Sequence, residues 1–142
     1  MIRIPLRWSS GVFLVSVLLL QPACSKNAGD AGTPEENMQH FELHEIGSLY
    51  NVYVTEKHRA PNSMNDLKTY EVGFPTGFAA LQTGKCVAVW GVDLEKSANK
   101  GSLVLAYQKE VPTQGGLVLL ANQTIKKMTP EEFKAAPKGK GA

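Results

Sequence analysis

The apolar residues of this chain change step once. Between residues 37 and 58 they recur every three or four positions: Leu43, Ile46, Tyr50 and Tyr53, with Phe41 and Leu49 widening the stripe. That spacing gathers side chains on one face of a helix. From Lys85 onward the step falls to two, over residues 86–92, 102–109, 117–121 and 124–128. A period of two is that of a strand, whose side chains alternate between faces. Strands joined by successive hairpins pair antiparallel. The pattern therefore predicts an α+β domain: a long N-terminal helix packed on a four-stranded antiparallel sheet, with short helices between and at the C-terminus.

The punctuation agrees with this division. Thr33-Pro34-Glu35-Glu36 and Thr129-Pro130-Glu131-Glu132 are two copies of one helix-start signal: threonine at the N-cap, proline at the first helical position, glutamate at the third. Ala60-Pro61 stops the long helix. Ser63-Met64-Asn65-Asp66 opens a short helical turn towards Tyr70, and residues 78–82 form another, closed by Gly84. Gly47 lies inside the long helix at a cost of about 1 kcal/mol and marks close packing. Residues 93–101 read as a polar loop and 111–116 as a turn. Asn122-Gln123 reads as a tight turn with Asn122 in the left-handed conformation. The first and third strands are apolar on both faces, so either helices cover both or one face carries a partner.

The first residues describe export. Arg3 and Arg7 precede an apolar run, residues 12–20, which is much shorter than the ~20 residues a spanning helix needs. This is the pattern of a signal peptide. The run leads into Gln21-Pro22-Ala23-Cys24-Ser25. Ala23-Cys24 resembles the end of the lipobox of bacterial lipoproteins, and cleavage after Ser25 is the alternative. The resemblance implies a signal peptide over residues 1–23 and a lipid on Cys24. A flexible tether over 24–36, rich in Gly, Ala, Asp and Pro, would follow. Residues 37–136 then form a single domain and 137–142 a disordered tail. A lipoprotein's two or more acyl chains hold it stably to a bilayer. Ser25 after the cysteine implies outer-membrane sorting on the periplasmic side.

Removing residues 1–23 removes Arg3 and Arg7 and leaves thirteen basic and thirteen acidic side chains. A neutral domain has no basic stripe for nucleic acid and no basic amphipathic helix for anionic lipids. No nucleophile elbow, phosphate-binding loop or dinucleotide fingerprint occurs. His40 and His44 have the four-residue spacing of metal ligands, with Glu45 and His58 as further candidates. The chain reads His44-Glu45-Ile46-Gly47-Ser48, however, and lacks the second histidine of the zinc-protease motif. Cys86 lies in the apolar run Cys86-Val87-Ala88-Val89-Trp90 and reads as a small hydrophobe. Trp90 and the tyrosines read as core.

The segment Leu43-His44-Glu45-Ile46-Gly47-Ser48-Leu49-Tyr50-Asn51-Val52-Tyr53, followed by Ala60-Pro61 and Asp66-Leu67, resembles the helix and exit of pseudopilin-like exported proteins. Their late Ala-Asp-Gly hairpin is matched here by Ala121-Asn122-Gln123. The resemblance covers roughly residues 40–135 and implies a helix, a proline turn and a small antiparallel sheet. The chain lacks the processing site by which pilins keep their hydrophobic segment, so a polymerising role does not carry over. The sequence thus points to a non-enzymatic envelope lipoprotein, without cofactor or metal, that docks an envelope protein. An accessory subunit of a secretion or pilus-like system is the alternative, and a small metal-binding hydrolase on His40 and His44 a third.

Overall fold

A computed structural model describes residues 32–139. The expected signal peptide, Cys24 and the tether up to residue 31 lie outside them. The architecture is α+β, with a long helix, shorter helices and a four-stranded antiparallel sheet.

Helix α1 spans Pro34–Lys57. The Glu36 amide donates to Thr33 Oγ1 at 3.2 Å and the Thr33 amide to Glu36 Oε2 at 2.9 Å, a complete capping box. The box starts the helix at Pro34, three residues before residue 37, and so ends the tether at Thr33 rather than Glu36. The helix ends at His58, which turns left-handed (φ 51°) and donates its amide to the Val54 carbonyl. Leu43, Ile46, Leu49, Tyr50, Tyr53 and Val54 are all buried. Phe41 is not: it is 49 % exposed. It lies five residues from Ile46, a rotation of about 140° at 100° per residue, which carries it off the core face.

After α1 come α2 (Met64–Leu67), a 3-10 helix over Lys68–Gly73, and α3 (Pro75–Gln82). The sheet follows as β1 (Cys86–Ala88), β2 (Val104–Gln108), β3 (Gly116–Leu120) and β4 (Ile125–Met128), paired in that order. A one-turn helix α4 (Val111–Gln114) joins β2 to β3, and α5 (Pro130–Ala135) closes the domain. The register aligns Ala88, Ala106, Leu119 and Ile125 on one face. This face receives α1, since a Cβ on Gly47 would stand 3.1 Å from Leu119 Cδ2. On the other face Val87, Tyr107, Val118 and Lys126 align. There the Tyr107 ring packs on Phe133 of α5, centroids 4.6 Å apart. Helices therefore cover both faces.

Four further details differ from the sequence expectation. The first strand stops at Ala88 instead of residue 92. Tyr50 draws the following residues off the sheet: its hydroxyl accepts from the Val92 amide at 2.9 Å and donates to the Val92 carbonyl at 3.1 Å. Residues 111–116 contain the helical turn α4, ended by Gly115 at φ 76°. In the β3–β4 turn Gln123, not Asn122, is left-handed (φ 69°). Asn122 instead accepts from the Thr124 amide at 3.1 Å, the local bond that makes asparagine a turn former. Residues 137–139 belong to the fold and not to a disordered tail. The Val104 amide donates to Pro137 O at 3.0 Å, and Lys138 Nζ donates to Phe133 O at 2.6 Å and Ala136 O at 3.1 Å.

Two glycines set the position of α1. A Cβ on Gly77 of α3 would stand 2.8 Å from the Ile46 amide nitrogen, against rigid helix backbone. A Cβ on Gly47 would collide with the end of the Gln123 side chain in the β3–β4 turn. The expected close packing at Gly47 is present, and Gly77 adds a second contact of the same kind. Gly77→Ala should therefore lower stability by roughly 1–3 kcal/mol in a urea titration, the range for overpacking. Gly73→Ala, where a Cβ would meet nothing within 4 Å, should stay within about 0.5 kcal/mol. Tyr50→Phe leaves the Val92 amide and carbonyl unpaired and should cost about 1–3 kcal/mol in the same assay.

Candidate functional site

The N-terminal half of α1 overhangs the start of β1 and the end of β2. The groove between them encloses about 440 Å³. Glu35, Met38, Gln39 and Glu42 of α1 form one wall, Cys86 and Gln108 the floor, and Lys85 and Glu110 the rim. A second hollow of about 380 Å³, between α1 and α3, shares Glu42 and Lys85 with the first. Those two residues sit at the junction.

Glu42 is the one buried charged residue among those described. Its side chain is 9 % exposed, and Lys85 Nζ, on a side chain 68 % exposed, stands 3.4 Å from Oε1. The magnitudes say what this pair does. Ion pairs open to water contribute about 0–1 kcal/mol. Withdrawing a carboxylate from water costs several kcal/mol. The pair with the exposed Lys85 is thus a weak stabiliser.

Cys86 is free and buried at the groove floor. Burial pushes its thiol up to about 12, and the nearby Glu42 and Glu110 carboxylates push in the same direction. The thiolate is the nucleophile, so at neutral pH Cys86 is an inert thiol, as its apolar run suggested. Gln108 is held in place by its Oε1, which accepts from the Leu117 amide at 2.7 Å. No histidine lines the groove. What the arrangement supplies is charge: three carboxylates against one ammonium.

The metal candidates are not brought together. His40 and His44 are exposed on α1. His58, at the helix end, has Nδ1 3.7 Å from Glu95 Oε1. Glu45 is committed elsewhere: its Oε2 accepts from the Gly77 amide at 2.7 Å. It caps α3, whose own N-cap residue Phe74 has no side-chain oxygen to offer. Among the described residues no group of three or more His, Cys, Asp or Glu could hold a metal ion. Cys24, the expected lipid site, lies outside the described residues. Trp90, expected in the core, is partly buried and packs against the cluster of Leu49, Tyr53, Leu67 and Phe78.

Sequence patterns passed over Glu42 and Lys85. The available signal was Glu42 beside Leu43 and four residues before Ile46, an acid on the apolar side of the helix.

No family model, curated protein or solved structure matches the chain.

Three outcomes follow. Glu42→Leu should leave the urea midpoint unchanged or raise it, because the substitution removes a buried charge from a weak pair; a loss above about 2 kcal/mol would show that the pair stabilises the fold. Iodoacetamide at pH 8 should leave Cys86 unmodified in the folded protein and alkylate it on denaturation. Raising the pH past about 8.5, where an unfolded thiol ionises, should lower stability progressively towards 12, because the folded state holds its proton longer.

Proposed function

We propose that the chain is a non-enzymatic exported envelope protein, anchored to a bilayer by lipid on Cys24, that docks an envelope protein through the groove beneath α1. The observation that carries the reading is the Ala23-Cys24 junction directly after a short apolar run with basic residues before it. The tether is consistent with this. From Cys24 to the cap at Thr33 it counts ten residues, with a reach of up to about 35 Å when extended. That is ample to hold the domain clear of the lipid headgroups, which occupy about 5–7 Å on each side of a bilayer. The domain itself adds a charged groove and two exposed apolar side chains, Met38 and Phe41, on the helix that the tether leads into. Ser25 favours the outer membrane as the destination.

A second reading, an accessory subunit of a secretion or pilus-like system, has support from the long helix, proline turn and antiparallel sheet that the pseudopilin-like resemblance implies. Loss of the gene should then alter protein export or surface fibres.

The intact mass of the protein from detergent-extracted envelopes tests the anchor. The expected species begins at an acylated Cys24, and Cys24→Ala should shift the protein into the aqueous phase on detergent partitioning. A soluble chain beginning at Lys26 would rule the anchor out.

A further inference from the structure

We infer that the open edge of β4 accepts an extended, acidic segment of a partner protein as a further strand of the sheet. The inference goes beyond the groove and the anchor and depends on neither.

The starting point is the backbone. The Leu120 amide donates to the Thr124 carbonyl at 2.9 Å, and antiparallel bonds recur at every second residue. With Val118 opposite Lys126 and Gly116 opposite Met128, the backbone groups of Lys126 and Met128 face β3. Those of Ile125 and Lys127 face away from it. β4 ends the sheet, and among the described residues no turn or loop backbone group meets them. Bulges and prolines blunt many edges. Here the pairing with β3 carries no register shift, and the strand contains no proline. The edge is also bounded, because Asn122 holds the Thr124 amide and Glu132 the Thr129 amide. The opposite edge strand, β1, is buried at Cys86 and Ala88.

Charge selects the segment. Lys126 and Lys127 are exposed on opposite faces of the edge, and among the described residues neither makes an ion pair. The acids near them are in use. Glu36 lies within electrostatic reach of Lys127, and Glu132 lines a hollow of about 330 Å³ with Lys126; each accepts a capping-box amide. Edge lysines keep like strands away. Both registers that pair three β4 residues with β4 of a second copy set Lys126 on Lys126 or Lys127 on Lys127, and like charges directly opposite repel. An acid opposite each lysine reverses the sign. Ile125, partly buried against the core, takes an apolar, β-branched neighbour. An antiparallel segment that fits therefore reads acid, acid, β-branched from its N-terminus. In strand addition the main-chain bonds supply affinity and the alternate side chains specificity.

The test titrates the full chain, 15N-labelled in detergent micelles at low salt, with the capped peptide Thr-Glu-Glu-Val-Thr. Two twins accompany it. One carries an N-methyl group on the valine amide, which removes a main-chain donor and keeps the charge. The other has glutamine for both glutamates. The parent peptide should shift the Ile125 and Lys127 amides saturably and slow their hydrogen exchange. The N-methyl twin should give no saturable shift, and the glutamine twin should bind roughly tenfold more weakly. Lys126→Gln and Lys127→Gln should each weaken the parent peptide about threefold, and Lys109→Gln should change nothing. Equal binding of the N-methyl twin would reduce the edge to a patch of charge. Shifts centred on the groove would place the peptide elsewhere, and pairing of β4 with a second copy would mean that the edge is already filled. Each of these, like a flat titration, overturns the assignment. A chain found to begin at Lys26 would remove the anchor and leave this result standing.

Discussion

Everything in this domain is arranged around how closely α1 can approach its neighbours. The helix presents one face to the sheet and a flank to α3, and it comes close at two points, against rigid backbone at Gly77 and against side chains at Gly47. At Gly77 the α3 backbone lies against the backbone of Glu45 and Ile46, and at Gly47 the end of the Gln123 side chain, from the β3–β4 turn, and Leu119 of β3 stand close. The close approach brings polar groups within reach as well. Glu45 caps α3 because Gly77 lets the helices come that near. Tyr50, buried one turn further along α1, reaches across to Val92 and decides where β1 ends. A packing constraint thus settles one helix terminus and one strand terminus.

The clamp also explains why there is a groove. Gly47 and Gly77 hold α1 from about its middle, and the C-terminal half is buried through Tyr50, Tyr53 and Val54. The first turns are held by the capping box at Thr33 and pass above the end of the sheet with less beneath them. Glu42 stands at the boundary between the two regimes. Its backbone is in the packed part and its carboxylate faces the open part, where the exposed Lys85 meets it.

Much of the architecture was legible in the sequence because its signals are local. Both Thr-Pro-Glu-Glu starts became capping boxes, and the change of apolar period marked where helix gives way to sheet. What was not legible depends on contacts between distant residues. The early end of β1 is caused by Tyr50, some forty positions away. Residues 137–139 look like tail in composition, yet Val104 and the α5 carbonyls hold them. Phe41 counted as core by its type and is exposed by its angle. The histidines drew attention by spacing alone, whereas the groove's central residue was an acid in an apolar stripe, which pattern matching absorbs as noise.

Amide hydrogen exchange along α1 tests the clamp most directly. Opening the clamped half requires breaking the core, whereas the first turns can open alone. Amides of residues 47–54 should exchange only through global unfolding, with a denaturant dependence matching the equilibrium transition, and those of residues 38–42 should exchange through local openings that denaturant barely accelerates. Uniform protection along the whole helix would contradict the account, because α1 would then be held evenly and the groove beneath its first half would be no more open to a partner than the core.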